Sequence, residues 1–154
     1  MQSQIRLLST HKNTMKISLN TILEIYLSSF CKGNEFANED QFRDALKECL
    51  CQHEYPTGTE CQVDANPASG QKYWLVDLMV QSINDNFVPI EVKFNEEDVQ
   101  EIMEDIKKID YCIEHYENIE KGYVILLTDH NPSNFDAHLK DTCCPPFRYA
   151  MWRR

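Results

Sequence analysis

Tyr73-Trp74-Leu75-Val76-Asp77-Leu78-Met79-Val80-Gln81, followed beyond a short turn by Val88-Pro89-Ile90-Glu91-Val92-Lys93-Phe94, is the stretch whose reading decides the fold. In the first segment Trp74, Leu75, Val76, Leu78, Met79 and Val80 make both faces of a strand apolar, yet Asp77 sits in the middle. A buried lone carboxylate costs several kcal/mol unless it is paired or bound to a metal. The second segment repeats the anomaly. Val88, Ile90, Val92 and Phe94 form one apolar face, and Glu91 and Lys93 project from the other, because residues two apart share a face of a strand. An Asp, a Glu and a Lys are thus expected to converge on two neighbouring strands.

Working outward, Asn84-Asp85-Asn86 turns the chain between these strands, and Asn66-Pro67-Ala68-Ser69-Gly70 turns it before them. A further strand is expected over 59–64. Short turns between consecutive strands favour antiparallel neighbours. Upstream, Ile22, Leu23, Tyr26, Leu27 and Phe30 recur at helical spacing, which predicts a first helix over roughly 17–31. Asn38 with Gln41 three residues on resembles a capping box and opens a second helix. Phe42, Ala45, Leu46, Cys49 and Leu50 are its apolar stripe.

Downstream, 96–117 switches to helical period, with Val99, Ile102, Met103, Ile106, Ile109 and Ile113 on one stripe. The run 123–127 is continuously apolar and reads as a strand buried on both faces, typical of parallel pairing after a helical crossover. A short helix near 135–140 and an edge-like strand over 147–152 complete the chain. The order α-α-β-β-β-α-β predicts a mixed sheet flanked by helices, an α/β sandwich.

The chain has 154 residues and a formal net charge of −10. One domain over 17–154 is expected, preceded by a polar, flexible arm over 1–16. The acidic balance argues against a generic basic nucleic-acid coat or a membrane-surface binder. No apolar run approaches the ~20 residues of a membrane span. The leader-like text from Met15 to Cys31 is interrupted by Asn20 and Glu24, and Phe30 is too bulky for a cleavage site. Seven cysteines at irregular spacing do not read as a secreted disulfide framework, so a reducing, cytoplasmic setting is expected.

Two carboxylates with one ammonium leave a net negative site. A hard divalent cation such as Mg²⁺ suits it, with water and a phosphate oxygen completing the octahedron. Such an ion polarises a phosphate and lowers the pKa of a bound water. A nearby lysine holds or deprotonates the attacking water and stabilises developing negative charge.

Asp77, thirteen intervening residues and then Glu91-Val92-Lys93 resemble the D…E-x-K signature of the PD-(D/E)XK nucleases, the restriction-endonuclease-like superfamily. The flanking Ile90-Glu91-Val92-Lys93-Phe94 and Gly122-Tyr123-Val124-Ile125-Leu126-Leu127-Thr128 are similar to such proteins as well. The resemblance covers roughly 38–130, and Val76 stands where the signature has proline. It implies a three-layer sandwich with an αβββαβ core and a mixed central sheet. It also implies a nuclease that uses Mg²⁺, with Mn²⁺ as a substitute, on nucleic acid, DNA above all; double-strand cutters of this class often act as homodimers. By resemblance Asp77 and Glu91 bind the metal, the Val92 carbonyl adds an oxygen, and Lys93 helps activate water. Many members add a Glu from the first core helix, for which Glu39 is the best match and Glu35 and Glu48 are weaker ones.

Other readings of the same residues stay open. Asp77 and Lys93 also suit a structural ion pair, with Glu91 solvated. Glu39 also suits the first turn of a helix through the helix dipole. The ten acids between 96 and 120, set against Lys107 and Lys108, read as a solvated helix face turned away from any polyanion. Gln100 is a weak hint of a polar site residue on that helix. Trp74, Tyr73 and Trp152 read as packing residues. Cys49 with His53 and Cys112 with His115 have spacings that suit a helix face and a structural zinc. Basic residues collect at the chain ends: Arg6, Lys12 and Lys16 at one, Arg148, Arg153 and Arg154 at the other. An inactive relative with the same sheet, acting as an acidic protein-binding or inhibitor module, is the rival to an enzyme.

Overall fold

The computed structural model describes residues 16–30, 36, 38–95, 98–128, 138–140 and 148–154. The expected N-terminal arm lies, but for Lys16, outside them. Two helices come first, α1 (Leu19–Phe30) and α2 (Glu39–Gln52). Each has a polar side chain at its start. The Ser18 hydroxyl oxygen accepts from Thr21 N–H at 3.2 Å, and Asn38 Oδ1 accepts from Gln41 N–H at 2.9 Å. These bonds satisfy helix-start donors that have no partner within the helix.

Three antiparallel strands follow: β1 (Thr57–Asp64), β2 (Tyr73–Gln81) and β3 (Phe87–Phe94). Helix α3 (Val99–His115), capped by Asp98 on the Gln100 N–H, then leads to β4 (Tyr123–Thr128), which pairs with β3 in parallel. β5 (His138–Lys140) and β6 (Arg148–Arg153) complete a six-stranded mixed sheet of order β1-β2-β3-β4-β6-β5.

The fold is therefore α/β, with helices on both faces of the sheet. On one face α1 and α2 bury Leu23, Leu27, Phe42, Leu46 and Leu50 against Leu78, Ile90, Val92, Ile125 and Met151. On the other, α3 buries Ile102, Ile106 and Ile109 against Val124, Leu126 and Ala150. β4 sends alternate residues into both cores, which is why its run is apolar throughout. Gly122 lets the chain enter β4 tightly: a Cβ there would lie 2.5 Å from Ile109 Cγ2 and 3.0 Å from the Pro89 carbonyl.

Two expectations at the C-terminal end change. Residues 138–140 form a strand and not a helix, since they pair with β6. β6 is not an edge: it lies between β4 and β5 and hydrogen-bonds to both. A strand's neighbours come from distant parts of the chain, and local pattern does not report them. Among the described residues no helix is long and apolar enough to cross a membrane.

A carboxylate and lysine cluster where two strands part

The β2–β3 ladder runs from Gln81↔Phe87 to Leu78↔Ile90 and stops there. Continued by one pair it would match Asp77 with Glu91. Instead the Asp77 carboxylate oxygen Oδ2 accepts the Val92 N–H at 2.9 Å, so a side chain replaces the backbone partner. Beyond this point β2 follows β1, while β3 continues along β4. The faces of β2 change here too. Leu78 and Val80 belong to the α1/α2 core, whereas Val76 packs with Cys112 and Ile119. Glu60, which falls opposite Asp77 in the β1–β2 register, has φ +50°, a backbone kink at the same level.

The parted strands leave an opening that groups from both layers reach. Glu91, 3% exposed, points in from β3 beside Asp77. Burial, the Asp77 charge and a hydrogen bond with Asp77 hold the Glu91 carboxyl well above the usual carboxylate range. Glu39, at the first turn of α2, accepts from the Phe94 backbone N–H and feels the charges of Lys93, Asp77 and Asp105; burial is the main cause that raises its pKa. The structure thus brings Glu39, Asp77, Glu91 and Lys93 into one interacting group. Glu48 is exposed and Gln100 is exposed, while Glu35 lies outside the described residues.

α3 supplies two groups that the sequence reading placed in solvent. Asp105 is 7% exposed and Lys108 is half-buried. Lys93 Nζ lies 3.5 Å from Asp105 Oδ2, and Lys108 Nζ lies 3.9 Å from Asp105 Oδ1. Lys108 also donates to Glu91 Oε1 at 3.0 Å and to the Leu75 carbonyl at 3.0 Å. Burial raises Asp105 to about 6 although both lysines pull it down. Burial works against the charged forms of Lys93 and Lys108, but the acids around them prevail and push both upward, so both stay ammonium ions. The signal for Asp105 was present in the helical spacing. It falls among Ile102, Ile106 and Ile109, on the stripe that faces the sheet.

A cleft of about 910 Å³ opens from Lys93, Asp105 and Lys108 toward Trp74 and the Asn66–Ser69 turn. Its outer wall is Glu101, Glu104, Asp110 and Glu114, so this side of α3 faces the site and not away from it. Trp74 packs beside the Val76 cluster and meets Tyr111 edge to face at 5.4 Å, and Tyr111 stacks on His115 at 3.8 Å. Of the C-terminal basic residues, Arg153 turns to α1 and Arg154 to the acids of the cleft wall. Arg153 bonds to Asn20, and Arg154 lies 3.2 Å from Asp110 and 3.5 Å from Glu114.

The donor chemistry bears on metal binding. Among the described residues no three or more His, Cys, Asp or Glu form a preformed cage, and the Cys49–His53 and Cys112–His115 pairs do not combine into a zinc site. Cys112 is fully buried, with its thiol pushed up to about 11, mainly by burial. Mg²⁺ asks for less: one or two carboxylates, with water and substrate phosphate as the remaining ligands. The neighbouring Asp77 and Glu91 carboxyl groups fit that demand. Against known protein families, curated proteins and solved structures the chain shows no match.

Proposed function

We propose that this chain is a divalent-metal-dependent nuclease of the PD-(D/E)XK kind, hydrolysing phosphodiester bonds of nucleic acid. The observation that carries the reading is the meeting of Asp77 and Glu91 where β2 and β3 part, with Lys93 on the same strand face as Glu91. The element order and the position of these residues on the second and third strands support it.

Asp77 and Glu91 would hold Mg²⁺ or Mn²⁺, and the Val92 carbonyl would add an oxygen. When bound, the ion supplies Lewis-acid polarisation of the phosphate and a more acidic water. The chain's own groups do the rest. The Val92 N–H fixes the Asp77 carboxylate in one orientation. Lys93, held as an ammonium by Asp105 and Glu39, is a donor and not a base. It would orient the attacking water or a phosphate oxygen and offset negative charge that develops at phosphorus. Glu39, anchored on the Phe94 N–H, sets the position of Lys93 from the opposite layer.

The test is cleavage of end-labelled DNA and RNA, single- and double-stranded, with Mg²⁺, Mn²⁺ or chelator. Metal-dependent cleavage that Lys93→Met lowers about 10²–10⁴-fold supports the reading. Absence of cleavage with every polymer, or a Lys93→Met protein as fast as wild type, overturns it. One observation favours the rival acidic binding module: two lysines already neutralise the buried carboxylates without any metal. Calorimetric Mg²⁺ titration separates the two, since the module has no metal heat that Asp77→Asn removes.

A further inference from the structure

The Lys108 ammonium is held by oxygens from three different elements. It lies 3.0 Å from the Leu75 carbonyl of β2, 3.0 Å from Glu91 Oε1 of β3 and 3.9 Å from Asp105 Oδ1 of α3. The ammonium thus sits on Glu91, one of the carboxyl groups that the metal reading needs, and is steadied there by β2 and α3. A second observation points the same way. Asp105 Oδ2, on a side chain 9% exposed, makes no hydrogen bond, although Lys93 Nζ is 3.5 Å away. That oxygen is held by the Lys93 charge, so the two buried acids Glu91 and Asp105 each rest on a lysine.

We propose that Lys108 is an internal competitor for the divalent ion: its ammonium sits among the oxygens of Leu75, Glu91 and Asp105 and must leave when the ion binds. The proposal rests on the metal-dependent reading of the site and adds a residue to it. Glu91 belongs to both positions. An ammonium and a dication that share Glu91 repel each other, and oxygens about 3 Å from nitrogen must close to about 2.1 Å around Mg²⁺. The exit is open. Lys108 lines the cleft with 19% of its side chain exposed, and its four-carbon stem can swing out along the cleft wall toward Glu104 and Glu101. Asp105 is then a positioning residue, because its Oδ2 holds Lys93 whether or not Lys108 is in place.

Mn²⁺ titration by calorimetry into the whole protein tests this, with Lys108→Met and Lys107→Met compared with wild type. Lys107 is exposed, so its substitution removes the same charge from the same helix without touching Glu91. Lys108→Met is expected to bind Mn²⁺ about tenfold more tightly, and Lys107→Met within about twofold of wild type. Equal shifts in the two variants, no gain in Lys108→Met, or no Mn²⁺ binding by wild type and Lys108→Met alike, overturns the proposal. Should Lys108→Met not fold, amine acylation of wild type read by mass spectrometry decides. Lys108 is expected to react more slowly than Lys107 without metal and to gain reactivity with Mn²⁺, and unchanged reactivity overturns the proposal. Protein that cleaves nucleic acid while Lys108 ignores Mn²⁺ removes this inference alone. Protein that cleaves nothing but shows the affinity gain removes the nuclease reading alone.

Discussion

β2 and β3 form two different ribbons along one shared length. Between Leu78↔Ile90 and Gln81↔Phe87 they are zipped by backbone hydrogen bonds, and Leu78, Val80, Val88 and Ile90 send their side chains into the α1/α2 core. One residue further on, the zipper ends. Asp77 gives up its place in the ladder and binds the Val92 N–H with its side chain. The closed half is apolar and held by the backbone ladder. The open half holds four carboxyl groups and two ammonium ions from both layers. The charged groups gather where the strands fail to close, because there side chains from β2, β3, α2 and α3 approach one another. The cost is a set of buried acids whose proton affinities are raised.

The comparison breaks or sharpens through substitution, and the largest effect is expected in the open half. Asp77→Asn keeps an oxygen for the Val92 N–H but loses the charge. Cleavage should fall about 100-fold or more while the far-UV spectrum and melting temperature stay near wild type. Asp77→Ala, by contrast, leaves the Val92 donor without its partner and should cost a further ~1–3 kcal/mol of stability in urea titrations.

In the closed half the pattern should invert. Leu78→Ala removes a fully buried side chain and should cost about 2–5 kcal/mol, read as a lower urea midpoint, with activity per folded molecule little changed. An Asp77→Asn protein that unfolds as readily as Leu78→Ala would erase the distinction between the halves.

Asp105 sharpens the comparison through pH. Its folded pKa, about 6, lies above its value of 3.8 in an unfolded chain, so the folded state holds the proton more tightly. That stability is fully present below about pH 4 and is lost as pH rises through about 6. Glu91, raised in the same direction, adds to the slope. Asp105→Asn should flatten the fall in unfolding free energy between pH 4 and pH 7 by on the order of 1–3 kcal/mol, measured by urea titration. Gly122→Ala gives a purely packing effect of comparable size. Its Cβ must displace Ile109 or the Pro89 carbonyl, for about 1–3 kcal/mol with no change in the pH slope. Leu75→Ser is the smallest, since the side chain is 49% exposed and only its carbonyl takes part; a change within about 0.5 kcal/mol is expected.

Much of this architecture was legible along the chain. Period-two and helical patterns located both N-terminal helices, the three-strand unit, the helix after it and the doubly buried β4. Asn38 capped α2 as its spacing with Gln41 implies. Asp77, Glu91 and Lys93 stood out because charges are rare in apolar strands. Asp105 and Lys108 did not, because ten acids along one segment mask a single carboxylate on the buried stripe. At the other end of the chain, 138–140 lacks enough length for a period, so helix and strand read alike there. The place of β6 between β4 and β5 depends on pairing across the sheet.

The sequence by itself determined where the helices and strands lie, which faces are apolar and which charged residues have no business in a core. These are properties of spacing, and each is set within a turn of helix or a few residues of strand. Only the tertiary structure decided that the β2–β3 ladder stops at Leu78, that Glu39 and Asp105 approach the same opening from opposite layers, and that Lys108 and not solvent faces Glu91. Those outcomes depend on which surfaces meet across the sheet, and the free energy of burying a charge beside a distant partner is written in no local pattern.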